Sequence, residues 1–147
     1  MQPDHRPDPS LRIAVLNDGH DTISMLVEWF QLQGHVPIAA RLVELRKEQV
    51  QPHDFVRNLH ADVVVLDVGV PYAVNWYYAE MLQLTLPAQA LVLTTTNLIA
   101  LERIIGRESH AFELTGGQEN LTQLLSLVYA ASGRDGRGKI FAQRPTS

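Results

Sequence analysis

The sequence predicts an α/β protein with a parallel sheet between two layers of helices. Short apolar runs alternate with segments of helical periodicity over residues 11–131. The run from Asp62 to Leu66 (DVVVL) contains three consecutive valines, which is typical of a strand buried on both faces. Strands that alternate with helices favour right-handed crossovers and a parallel sheet. The predicted fold class is therefore a doubly wound, three-layer α/β/α domain.

Ten elements are predicted along the chain. The strands are placed at 11–16, 35–40, 62–66, 90–93 and 111–114. The helices are placed at about 21–33, 52–59, 76–84, 98–105 and 121–128, where apolar residues recur at helical spacing. Residues 41–51 fit either a helix or a loop.

Individual residues mark where these elements begin and end. Asp21 is expected to cap the first helix, and Gly34 to follow its last turn. Pro37 argues that the second strand lies at an edge of the sheet, because proline has no N–H to donate to a neighbour. Pro52 opens the second helix, and the Thr115-Gly116-Gly117 segment ends the fifth strand.

Composition excludes several classes of protein. The chain has 147 residues, 46% of them hydrophobic, which is enough to bury the core of one domain. It has no cysteine, so a disulfide scaffold, a cysteine nucleophile and a thiolate metal site are excluded. No apolar run reaches 18 residues, so no transmembrane helix is expected. The N-terminal MQPDHRPDPS does not have the pattern of a signal peptide, and a cytoplasmic location is expected.

Charge is unevenly distributed along the chain. The net charge is −4, and residues 132–147 carry +3, which leaves −7 for the first 131 residues. An acidic domain argues against a nucleic-acid partner. We predict a disordered N-terminus at 1–10, a single domain at 11–131 and a basic flexible tail at 132–147.

Polar side chains follow the strands, at the edge where doubly wound sheets place their ligand sites. They are Asn17 and Asp18 after the first strand, Asp67 after the third, Thr94 after the fourth and Thr115 after the fifth. If the first and third strands are neighbours, Asp18 and Asp67 converge, and a hard cation such as Mg²⁺ would relieve their repulsion. A carboxylate beside such an ion can attack phosphorus.

Four segments together resemble a known family. RIAVLND stands at the first strand, ADVVVLDVGVP at the third, ALVLTT at the fourth and AFELTGG before the last helix. In this order, over residues 11–131, they resemble the receiver domain of response regulators, the flavodoxin-like module of two-component signalling. The third-strand segment is the most specific, with a buried run, an aspartate at its end and a proline four residues later. The resemblance implies the strand order 2-1-3-4-5.

The resemblance also implies a role for each residue at the strand ends. Asp67 resembles the phosphoacceptor, Thr94 the hydroxyl group beside it, and Phe112 the aromatic switch. The implied ligands of Mg²⁺ are Asp18, Asp67, the carbonyl of Gly69 and, through a water molecule, Asn17.

Two positions depart from the family's pattern. Receivers usually have two acids after the first strand, and here the first of the two is Asn17. Thr115 stands where a lysine usually follows the fifth strand, so a charge-assisted contact to a phosphoryl group is missing. We therefore expect weak Mg²⁺ binding and slow or absent phosphorylation. Arg107, His20 or the amides of Gly116 and Gly117 are alternative sources of the missing contact.

Three functions are compatible with these residues. The first is a single-domain receiver, not an enzyme, that accepts a phosphoryl group at Asp67 from a histidine kinase or phosphotransfer protein. It would contact a downstream protein through its fourth helix, fifth strand and last helix, with no membrane or nucleic-acid partner. A homodimer is a further partner compatible with this function. The second is a pseudo-receiver that binds partners without phosphorylation. The third is a flavodoxin-like binder of a nucleotide or cofactor. The sequence contains neither G-x-G-x-x-G nor a P-loop, so no nucleotide-binding motif supports this function.

Overall fold

Five parallel strands form the centre of the protein, seen in a computed structural model that describes residues 10–133. The strands are β1 (Arg12–Asn17), β2 (Val36–Arg41), β3 (Val63–Asp67), β4 (Leu91–Thr95) and β5 (Phe112–Glu113). They are hydrogen-bonded in the order β2-β1-β3-β4-β5. The predicted strand order is confirmed, and β2, which contains Pro37, is at an edge of the sheet as expected.

Six helices surround the sheet within residues 10–133. They are α1 (His20–Leu32), α2 (Leu42–Lys47), α3 (Pro52–Leu59), α4 (Tyr72–Thr85), α5 (Leu98–Ile105) and α6 (Gln118–Ala131). None of these described helices combines the length and the apolar composition that a membrane span requires. The segment 41–51, which fitted either a helix or a loop, contains α2.

Some predicted boundaries are wrong. The N-cap of α1 is Gly19 and not Asp21, which lies in the first turn, where a negative charge is favourable. Helix α4 begins at Tyr72, four residues before the predicted start, because its first turn includes the exposed Ala73 and Val74 and the buried polar Asn75, which break the apolar spacing. The predictions for the N-terminus at 1–10 and the tail at 132–147 fall mainly on residues 1–9 and 134–147, which lie outside the described residues.

The two faces of the sheet pack against different helices. Ile13 and Val15 of β1 belong to a core with α1 and α6, whereas Ala14 and Leu16 belong to a core with α2 to α5. All five residues of β3 are buried, as its valine run predicted. These two apolar layers hold the sheet in place, and removal of their surface from water is the main stabilising contribution.

The register of the sheet determines which residues meet at its carboxyl edge. Asp67 of β3 pairs with Thr94 of β4, and Asn17 of β1 pairs with Arg41 of β2. Strand β2 continues directly into α2, since Arg41 is the last residue of the strand and Leu42 the first of the helix. Helix α2 therefore begins beside the turn that follows β1.

Candidate functional site

Asp67 and Thr94 form a buried pair at the carboxyl ends of β3 and β4. Thr94 Oγ1 donates a hydrogen bond of 2.9 Å to Asp67 Oδ1. Asp67 is 8% exposed and Thr94 is fully buried. The contact follows from the parallel register, which sets the two residues side by side. The structure thus brings together the two residues that the sequence placed at the ends of adjoining strands.

The environment of Asp67 favours its protonated form. Burial raises the pKa of Asp67 from 3.8 to about 6, because an ionised carboxylate loses hydration inside the protein. The hydrogen bond from Thr94 lowers this pKa, and the negative charge of Asp18 raises it. The influence of Asp18 means that both carboxyl groups belong to one electrostatic site. At neutral pH the Asp67 side chain is mostly ionised and therefore nucleophilic.

An open cleft lies at this edge of the sheet. Among the residues that line it are Asn17, Asp18, Asp67 and Gly69, together with Leu42 of α2 and Asn75 of α4. Four residues that the sequence indicated therefore share one cavity. Leu42 and Asn75 were not indicated, because their positions depend on how α2 and α4 pack.

Gly69 allows the chain to pass close to Asp67. A Cβ atom at position 69 would lie 3.0 Å from Asp67 Oδ2, which is tighter than ordinary van der Waals contact. The Gly69 carbonyl accepts a hydrogen bond of 3.0 Å from Asn75 Nδ2. Asn75 is 1% exposed, and its Oδ1 has no hydrogen-bond partner among residues 10–133. The sequence did not indicate Asn75, because the predicted helix began one residue after it.

Asn17 closes the turn after β1. Its Oδ1 accepts a hydrogen bond of 2.9 Å from the Gly19 amide, and the residue is 5% exposed. An asparagine that bonds the amide two residues later is typical of a tight turn. Asn17 therefore positions Asp18 and the start of α1.

Asp18 is held by the β2–α2 segment. Its Oδ1 accepts a hydrogen bond of 2.7 Å from the Val43 amide, and its Oδ2 lies 3.9 Å from Arg46 Nη2. Its backbone carbonyl accepts a bond of 3.3 Å from Arg41 Nε. Sequence reasoning missed both arginines, although the three cations in the segment 41–51 were a usable signal.

The expected ligands of Mg²⁺ already have partners within the protein. Within residues 10–133, no group of three or more His, Cys, Asp or Glu side chains could hold a metal ion. Both oxygens of Asp18 face α2, the Gly69 carbonyl accepts a bond from Asn75, and Asn17 Oδ1 accepts a bond from Gly19. In this arrangement the donor set does not fit a divalent cation, and Mg²⁺ binding stays a prediction.

The position of the usual lysine has no cation. Thr115 is exposed just beyond β5, and its amide donates a hydrogen bond of 2.8 Å to Asn120 Oδ1. The Gly116 amide bonds the same oxygen at 3.3 Å. Thr115 lines a neighbouring cleft with Thr22 and Thr96, residues that also line the cleft of Asp67. The two clefts are therefore adjacent.

Phe112 and Arg107 lie in different parts of the structure. Phe112 pairs with Thr94 in the sheet register and packs, half-buried, against the core of α1 and α6. Arg107 lies over the ring of Trp76, 5.3 Å from its centroid, and 3.9 Å from Glu80 Oε2. It lines a separate cavity between α4 and the segment before β5, so in this structure it does not replace the missing lysine.

Comparison with known proteins relates the fold to a family. No family model matches the chain, and no curated protein matches it in sequence. NtrX from Brucella abortus, solved in complex with ADP, is similar with a TM-score of 0.61 and 14% identity over 87% of this chain, which spans 28% of the NtrX chain. The chemotaxis protein CheY4 of Vibrio cholerae has a TM-score of 0.59 and 13% identity, over 82% of this chain and 99% of CheY4. The chain thus has the flavodoxin-like fold of response-regulator receiver domains.

Proposed function

We propose that the chain is a receiver module of a phosphorelay, with Asp67 as its phosphoryl acceptor. The observation that supports this most is the hydrogen-bonded pair of Asp67 and Thr94 at the ends of β3 and β4. Asp18 and Gly69 line the same cleft. A carboxylate that ends a buried strand, with a hydroxyl group beside it and a second acid nearby, has the composition of a phosphoryl-transfer site.

The two oxygens of Asp67 have different surroundings. Oδ1 accepts the hydrogen bond from Thr94, whereas Oδ2 is the oxygen nearest to the side-chain-free Gly69. We assign the attack on phosphorus to Oδ2, which forms an acyl phosphate as the bond from phosphorus to the donor's nitrogen or oxygen breaks. Thr94 Oγ1 would then rotate to donate its hydrogen bond to a phosphoryl oxygen.

Partners would be proteins. The phosphoryl group would come from a histidine kinase or phosphotransfer protein, and the downstream contact would involve α5, β5 and α6. On α5, Ile99 is 73% exposed and Ile104 57% exposed. A protein contact at this face would remove both side chains from water. The homodimer and the cytoplasmic location stay predictions.

Intact mass spectrometry after treatment with a small phosphodonor and Mg²⁺ tests this function. The wild-type protein should gain one phosphoryl group slowly, and Asp67→Asn should gain none. Glu28→Gln is the matched control, because it removes an exposed acid on α1 that lies away from the cleft. Equal labelling of wild type and Asp67→Asn would refute the assignment.

A phosphorylation-independent pseudo-receiver is the second candidate. It is favoured by the engagement of Asp18 with α2 and by the absence of a cation at Thr115. In that case the wild-type protein would stay unmodified by phosphodonors, and Asp67→Asn would bind the same partner with the same affinity. No observation on residues 10–133 specifically favours the nucleotide- or cofactor-binding alternative.

A further inference from the structure

Helix α2 approaches the acidic cleft through its first turn. The Val43 amide donates to Asp18 Oδ1 at 2.7 Å. Val43 is the second residue of the helix, and amides of a first turn have no partner within their own helix. Arg46, one turn later, brings its Nη2 to 3.9 Å from Asp18 Oδ2. One short helix therefore provides partners to both oxygens of this carboxylate.

The position of α2 is fixed by packing on the other side of the helix. Leu42 and Leu45 are 1% and 6% exposed and belong to the core with α3, α4 and α5. At the start of the helix, the pairing of Arg41 with Asn17 ties it to the end of β1. At its end, the Val50 amide bonds the Leu45 carbonyl at 2.9 Å. The contact with Asp18 is therefore part of the packed structure.

The guanidinium of Arg46 depends on Asp18. Its Nη1 is enclosed and has no hydrogen-bond partner among residues 10–133. The side chains of Arg46 and Asp18 are 31% and 29% exposed. A charged group that is partly withdrawn from water requires a counter-ion, and Asp18 is the acid with which Arg46 forms an ion pair in the described residues. Separating the two would leave both charges partly desolvated.

We infer that Arg46 takes the place of a divalent cation at Asp18, so that the cleft has a built-in counter-ion supplied by α2. Binding of Mg²⁺ through Asp18 then requires displacement of Arg46 and loss of the bond to the Val43 amide. This inference concerns the charge balance of Asp18 and does not depend on phosphorylation of Asp67.

Titration with Mg²⁺, followed by calorimetry, tests the inference on three full-length proteins. Wild type should show no saturable binding at Mg²⁺ concentrations up to a few millimolar. Arg46→Gln should bind up to about fivefold more tightly, since the competing charge is gone. Lys47→Gln is the matched control, because it removes the same charge from the next residue, which pairs with Glu44 rather than with Asp18. It should behave as wild type.

Two further variants separate charge from other effects. Arg46→Lys keeps a cation and should bind Mg²⁺ as weakly as wild type. In the double variant of Asp18→Asn with Arg46→Gln, the gained binding should be lost. Equal affinity in wild type, Arg46→Gln and Lys47→Gln would overturn the inference, as would gained binding that survives Asp18→Asn.

A measurement on wild type covers the case in which Arg46→Gln does not fold. In an NMR titration, the amide of Val43 should keep its chemical shift at Mg²⁺ concentrations up to a few millimolar, because its bond to Asp18 persists. Saturable shifts of the Val43 and Asp18 amides over that range would overturn the inference. Phosphorylation of Asp67 is scored separately by mass, so failure of the proposed function would be distinguishable from this result.

Discussion

Replacing Asp67 with asparagine should stabilise the protein at neutral pH. Burial raises the pKa of Asp67 from 3.8 to about 6 in the folded protein, and the residue is 8% exposed. The folded state therefore binds a proton more tightly than the unfolded chain does. By linkage, the contribution of Asp67 to stability is most favourable below about pH 4 and falls as the pH rises through 6. Asparagine has no charge to desolvate at any of these pH values.

The size of the effect follows from the two pKa values. Their difference, at roughly 1.4 kcal/mol per unit, amounts to about 3 kcal/mol. The amide of the asparagine would keep an oxygen that accepts the hydrogen bond of Thr94 Oγ1, so the substitution should change little besides the charge. We expect the unfolding free energy of Asp67→Asn to exceed that of wild type by up to about 3 kcal/mol at pH 7.5 and by close to zero near pH 4.

Urea denaturation at intervals between pH 4 and pH 8 measures this difference. The contributions of titratable groups shared by both proteins cancel when the two unfolding free energies are subtracted at each pH. Glu28→Gln removes one exposed acid and reports the effect of net charge alone. The reasoning would be refuted if the difference in unfolding free energy between Asp67→Asn and wild type stayed constant from pH 4 to pH 8, or grew towards acid pH.

Three further substitutions test the surroundings of Asp67. Thr94→Val removes the hydrogen bond that lowers the pKa of Asp67. The variant's unfolding free energy should therefore continue to fall to a higher pH than that of wild type. The same pH dependence in both proteins would contradict this. Gly69→Ala places a Cβ 3.0 Å from Asp67 Oδ2 and should slow phosphorylation by a small donor. The free energy of unfolding should change by about 1 kcal/mol or less. A phosphorylation rate equal to that of wild type would contradict this. Thr115→Lys should tighten binding of a phosphoryl mimic by about ten- to a hundredfold, whereas Thr122→Lys, on the exposed side of α6, should not.

The architecture could be predicted because it depends on local and periodic features. The valine run of β3 required burial on both faces, and all five of its residues are buried. Pro37 indicated an edge strand, and β2 is at the edge. The carboxyl ends of parallel strands meet at one edge of the sheet, so the meeting of Asp67 and Thr94 followed once the family resemblance had supplied the strand order.

The surroundings of Asp18 could not be predicted in the same way. Helix α2 has six residues, too few for the spacing of apolar side chains to distinguish a helix from a loop. Its contact with Asp18 depends on where Leu42 and Leu45 pack in the tertiary structure. Asn75 was missed for a related reason, because its burial against Gly69 depends on the start of α4 at Tyr72, four residues before the predicted start.

Locating the phosphoryl group tests the central claim, that Asp67 is the acceptor. An acyl phosphate can be reduced with borohydride, which converts the modified aspartate to homoserine and leaves unmodified carboxylates intact. Peptide mass spectrometry of the wild-type protein, after reaction with a small phosphodonor and reduction, should then find homoserine at position 67. Homoserine at Asp18 or at another acid, with none at position 67, would contradict the assignment of Asp67 as the acceptor.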